Sequence, residues 1–101
     1  MEKKRPHYPL EQIKAYVGAH GGAAFTLTAK RNGFSMGLTQ AEMVAVVLKL
    51  NGACFYKSMT SYHDATIWQD VYHAPTPGGR MAYIKITDTG TGHPVIQFKE
   101  L

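Results

Sequence analysis

The chain has 101 residues, 45% of them apolar and 18% charged, with a formal net charge of +4 and one cysteine, Cys54. That length fits one domain with one core, and the composition is globular, not disordered. A lone cysteine excludes an internal disulfide and a cysteine-based structural zinc site, and it suits a reducing cytoplasm.

The segment from Pro9 to about His20 has a helical pattern, with Leu10, Ile13, Tyr16 and Val17 on one stripe and Gly21-Gly22 beyond its end. Ala24 to Thr28 reads as a short edge strand. Lys30 to Gly37 is mixed, with Phe34 and Met36 as core contacts and Gly33 and Gly37 as breakers. Thr39-Gln40-Ala41-Glu42 has the form of a capping box. Met43, Val46, Val47 and Leu50 follow as an apolar face, and Asn51-Gly52 stops the helix. The longest apolar run, Met43 to Leu48, is far too short to span a membrane. Glu2-Lys3-Lys4-Arg5 has no apolar stretch behind it, so no secretory leader is expected.

After Gly52 the period changes to two. Strands are expected over Phe55 to Tyr62, Ile67 to Tyr72, Met81 to Thr87 and Val95 to Lys99. A His63-Asp64 turn, the Pro75 to Gly79 loop and the Thr89 to Gly92 turn separate them. Helices first, then four strands on short turns, predict an α+β fold with N-terminal helices packed on an antiparallel sheet, in a single domain over residues 1–101.

Alternation puts Ile84, Ile86, Ile96 and Phe98 on an apolar face and Tyr83, Lys85, Gln97 and Lys99 on a polar one. It also groups Lys57, Met59 and Ser61 against Tyr56, Ser58 and Tyr62, and Gln69, Val71 and His73 against Trp68, Asp70 and Tyr72. Trp68 is expected in the core. A half-buried sheet ordinarily shows water a polar face, and Lys and Tyr are at home there. If Lys57, Gln69, Tyr83 and Lys99 converge, however, they form a set of cations, an amide and phenols without a carboxylate. Such a set suits RNA: cations meet phosphates, aromatic and thioether groups meet bases, and an amide reads a base edge. Charge adds little. Residues 1–50 carry seven Lys/Arg against three Asp/Glu, and residues 51–101 carry four of each. The excess lies largely in Lys3-Lys4-Arg5.

Other motifs carry less. Ser61, His63 and Asp64 have a triad's residue types but sit within four residues of each other, and a triad is a matter of spatial geometry. The five histidines lack metal-site spacing, so no metal and no cofactor is expected. The glycine-rich stretches at 78–79 and 90–92 read as hairpin turns.

Phe55-Tyr56-Lys57-Ser58-Met59-Thr60, followed by Thr66-Ile67-Trp68-Gln69-Asp70-Val71-Tyr72, resembles the motility quorum-sensing regulator toxins, the MqsR family. Met1-Glu2-Lys3-Lys4 with Pro6-His7, Tyr83 to Thr87 and Phe98-Lys99-Glu100 are similar to it as well. The likeness runs nearly end to end, close over residues 55–72 and weak over 18–40. It implies a RelE-like toxin of a bacterial toxin–antitoxin pair: a cytoplasmic, metal-independent mRNA endoribonuclease that cuts at GCU-type sites, arrests growth and is neutralised by a cognate MqsA-like antitoxin. The resemblance assigns the functional lysine, glutamine and tyrosine to Lys57, Gln69 and Tyr83, and it adds Tyr56, Met59 and Lys99. An arginine is expected after the WQDVY motif, where this chain has His73. A phosphate contact there becomes weaker and pH-dependent, or the imidazole takes part in proton transfer. His7 and Lys85 complete the candidate RNA contacts. The antitoxin is expected to use a sheet edge, such as Ala24 to Thr28. A non-catalytic RNA-binding or translational regulatory module would use the same cations and aromatics and stands as the alternative.

Overall fold

The computed structural model describes residues 1–101. Helix α1 spans Leu10–His20 and buries Ile13 and Val17. Gly21, at φ +58°, ends it in a conformation that favours glycine. A single 3₁₀ turn over Gly21–Ala24 follows. Helix α2 spans Leu27–Ser35, and helix α3 spans Gln40–Leu48. The Thr39–Glu42 capping box is present: the Thr39 hydroxyl accepts from the Glu42 N–H at 3.1 Å, and the Glu42 carboxylate accepts from the Thr39 N–H at 2.9 Å. Met43, Val46, Val47 and Leu50 are all buried.

Five antiparallel strands form one sheet in sequential order: β1 (Glu2–Lys3), β2 (Phe55–Thr60), β3 (Trp68–Pro75), β4 (Met81–Thr87) and β5 (Val95–Glu100). Helix α2 lies along β5 at the edge of the sheet, and helices α1 and α3 pack on one face. There Tyr72, Ala74, Ala82, Ile84, Ile86, Ile96 and Phe98 meet the buried side chains of α1 and α3 in one core. The fold is α+β, as the order of periodicities predicts. β1 joins the sheet only because the N-terminal segment returns to it, a long-range pairing that has no local signal.

The fold departs from the sequence pattern at Ala24 to Thr28, at Phe34 and at Trp68. Ala24 to Thr28 is not a strand. It contributes one bridge, Phe25 to Ile96, and then Thr26 caps α2 by accepting from the Ala29 N–H at 3.0 Å. The mixed segment after Lys30 is the rest of α2, turned with its small residues inward. Ala29 and Gly33 are buried, while Leu27 and Phe34 lie exposed. Phe34 is therefore no core contact, although Met36 is. Finally, Trp68 is half-buried and lies outside the main core. The N-terminal segment covers it: His7 stacks on it with ring centres 5.5 Å apart, and the Lys3 ammonium sits 4.2 Å from its ring.

Candidate active site

The face of the sheet away from the helices is open. In register, Lys57 and Met59 of β2 stand beside Val71 and Gln69 of β3. Gln69, Val71 and His73 stand beside Thr87, Lys85 and Tyr83 of β4. Tyr83 and Lys85 stand beside Lys99 and Gln97 of β5. Cross-strand partners share a face, so Lys57, Met59, Gln69, His73, Tyr83, Lys85 and Lys99 are brought together on one surface. Val71 is fully buried yet lies outside the helix-side core. Lys57 and Lys85 flank it on the neighbouring strands.

Tyr56 joins this surface against the expectation from alternation. Phe55 pairs with Tyr72 and Lys57 with Val71, so two steps on β2 match one on β3. This bulge re-aims the residue between them. The Tyr56 ring stacks on His73, with centres 4.4 Å apart and planes at 21°. His73 in turn lies 5.8 Å from the Tyr83 ring, and the Lys99 ammonium is 4.9 Å from the centre of Tyr83. The His73 Nε2 is buried without a hydrogen-bond partner, so that nitrogen does not face solvent.

The site does hold one carboxylate, which sequence spacing could not place. Pairing of Glu2 with Met59 sets Glu2 on the open face, and its Oε2 accepts from the Lys57 Nζ at 3.1 Å. This hydrogen bond holds the Lys57 pKa above its ordinary value. Lys85 moves the other way, lowered by burial and then by the nearby Lys99 charge. Burial raises the Tyr83 phenol, with Lys57 opposing. Gln69 donates from Nε2 to the Thr87 hydroxyl at 3.2 Å, which fixes the amide plane.

His7 is not part of this cluster. Its backbone N–H donates to the Asp70 carboxylate at 2.9 and 3.0 Å, on the opposite face. Its Nδ1 lies 2.9 Å from the Lys3 Nζ. Asp70 also accepts from the Tyr8 N–H at 2.8 Å and the Ser58 hydroxyl at 2.7 Å. It is a buried anchor for the N-terminal segment, and through that segment it positions Glu2. No three His, Cys, Asp or Glu side chains cluster as metal ligands, and no helix is long and apolar enough to cross a membrane.

Fold and site together define a small α+β protein that keeps one face of an antiparallel sheet open and lines it with cations, phenols and an amide. Residues 5–100 match the family described as motility quorum-sensing regulator, toxin of MqsA. The mRNA interferase toxin MqsR of Escherichia coli (strain K12) is 45% identical over 87 residues, covering 86% of this chain and 87% of that protein. The chain belongs to the motility quorum-sensing regulator toxin family.

Proposed function

We propose that this protein is an mRNA endoribonuclease, the toxin of a toxin–antitoxin pair, which cuts at GCU-type sites without a metal and thereby arrests growth. The observation that carries this reading is the convergence of Lys57, Gln69 and Tyr83, from three different strands, on one open face. The similarity to an mRNA interferase supports the same activity.

The reaction needs the ribose 2′-OH to give up its proton, here to solvent, and attack the adjacent phosphorus while the bond to the 5′-oxygen breaks and that oxygen takes up a proton, leaving a 2′,3′-cyclic phosphate and a 5′-hydroxyl. Lys57 is held protonated by Glu2, so it serves as the fixed cation that offsets phosphorane charge, not as the base. Tyr83 keeps its proton well above neutral pH, which suits it to protonate the departing 5′-oxygen. Gln69 has no acid–base chemistry. With Nε2 engaged by Thr87, its Oε1 remains to accept from a ribose or base edge. The stacked Tyr56–His73 pair offers a platform for a base, and Met59, opposite Gln69, offers an apolar contact further along the face.

The purified protein should cleave a long single-stranded RNA in excess EDTA, and mapping of the ends should give a cyclic phosphate and a 5′-hydroxyl at GCU-type sites. Activity that vanishes with chelator and returns with magnesium would overturn the mechanism. RNA binding without cleavage would favour the non-catalytic alternative.

A further inference from the structure

The open face does not end at Tyr83. It runs on to α2, where β4, β5 and α2 enclose a cavity of about 230 Å³. Its lining includes Thr28, Asn32, Tyr83, Lys85, Gln97 and Lys99, and it contains no carboxylate. Lys85 and Lys99 are diagonal neighbours there, since Lys85 pairs with Gln97 and Lys99 with Tyr83. Neither forms an ion pair. The molecule's three are Lys14–Glu11, Lys57–Glu2 and Arg80–Glu100. Burial and the Lys99 charge both disfavour the Lys85 ammonium. Two uncompensated cations in one concave, carboxylate-free site favour an anion. The far wall is fixed, because Asn32 donates from Nδ2 to the Phe98 carbonyl at 3.0 Å and ties α2 to β5.

Distance decides which anion. Neighbouring strands lie about 4.8 Å apart, so the three steps from β2 to β5 span roughly 14 Å. Lys57 is bonded to Glu2 at the β1–β2 end of the face, and Lys99 stands over Tyr83 beside α2, so the two cations mark opposite ends of a surface that offers room for more than one nucleotide.

We propose that the cavity between α2 and the β4–β5 face is a second phosphate subsite, which holds the RNA backbone at a nucleotide away from the scissile bond. Lys85 and Lys99 supply the charge, and Thr28, Asn32 and Gln97 supply polar contacts. The subsite rests on the reading of the open face as the RNA site. It also sets the path of the strand: across the sheet, from β2 towards α2.

The test uses a 2′-O-methyl RNA decamer containing GCU, which lacks the attacking hydroxyl and stays intact. Its binding is followed by fluorescence anisotropy over a series of salt concentrations. Lys85→Gln and Lys99→Gln should each lower the slope of log affinity against log salt by about 0.7, the loss of one single-strand phosphate contact. Thr28→Asp puts a carboxylate into the cavity and should weaken binding at least tenfold. An acid in the first turn of a helix favours that helix, so the thermal melt of Thr28→Asp should not fall. Gln12→Asp makes the same charge change in the first turn of α1, on the other side of the molecule, and should weaken binding less than about twofold. Equal effects of Thr28→Asp and Gln12→Asp, with wild-type binding intact, would overturn the subsite and leave the RNA reading standing. No decamer binding by the wild type would overturn both. Inorganic phosphate shifting the NMR signals of Lys85 and Lys99, while Thr28→Asp binds the decamer normally, would mark a site for free phosphate and overturn the backbone subsite.

Discussion

Lys57, Gln69 and Tyr83 each stand on a different strand, and none fills the helix-side core. Lys57→Ala and Gln69→Ala should therefore cut RNA cleavage by about 100-fold or more and move stability by no more than about 1 kcal/mol. Single-turnover cleavage beside a thermal melt measures both. Tyr83→Phe keeps the ring under Lys99 and loses only the proton donor, so it should cleave poorly and melt normally. Tyr72 behaves in the opposite way. Burial pushes its phenol from the ordinary 10.0 up to about 12. The native state keeps that proton where the unfolded chain releases it, so this contribution to stability is intact below pH 10 and is lost as pH rises from about 10 to 12. Tyr8 and Tyr83 shift in the same direction. Tyr72→Phe should make the alkaline loss shallower without abolishing it, in urea unfolding at pH 7 and pH 11. At pH 7 the change also removes a buried hydroxyl with no partner, so stability should hold or rise by up to about 1 kcal/mol. At this scale the strands' alternation made Lys57, Gln69, Lys85 and Lys99 legible as one face. Tyr56 was not, because one extra residue in β2 reverses its side. Nor was Glu2, which reaches Lys57 through a pairing 55 residues away in sequence.

Secondary-structure elements were legible where a face has to be apolar. β4 and β5 alternate over most of their length, and α3 carries both its capping box and its stripe. α2 was not legible because its pattern is inverted. It lies close against the core through Ala29 and Gly33, and a Cβ on Gly33 would run into the Met43 side chain. Close approach, not hydrophobic mass, is what holds it. Gly33→Ala should thus destabilise by about 1–3 kcal/mol despite alanine's better helix propensity, read as a lower urea midpoint at unchanged slope. The N-terminal segment is held differently, by Asp70 beneath it. Asp70→Ala leaves the His7 and Tyr8 N–H groups and the Ser58 hydroxyl without their acceptor. The expected cost is about 3 kcal/mol. The same substitution should release Glu2 from Lys57 and lower cleavage, although Asp70 lies on the other face from the site. Trp68→Ala should cost less, about 2 kcal/mol, since the indole is only half-buried.

At the scale of the whole molecule, the two edges of the sheet are unlike. β5 is covered: the Thr26 N–H donates to the Ile96 carbonyl at 3.2 Å, and Asn32 bonds the Phe98 carbonyl. β1 is two residues long and pairs only with Ser58 and Met59, so Phe55 to Lys57 of β2 have no strand beyond them. This stretch replaces Ala24 to Thr28 as the edge on which an antitoxin strand could extend the sheet. It ends at Lys57, so a partner seated there would lie beside the open face. The formal +4 charge favours an acidic partner and acts on encounter rate more than on affinity. Expression of this protein alone should stop growth, and co-expression of its antitoxin should restore it. Association of the two purified proteins should slow as salt rises, with dissociation little changed. Lys57→Ala should abolish toxicity and leave the complex intact. A Lys57→Ala protein that no longer binds the antitoxin would mean that the antitoxin occludes the site directly. Undisturbed growth at high levels of folded wild-type protein would remove the toxin reading altogether.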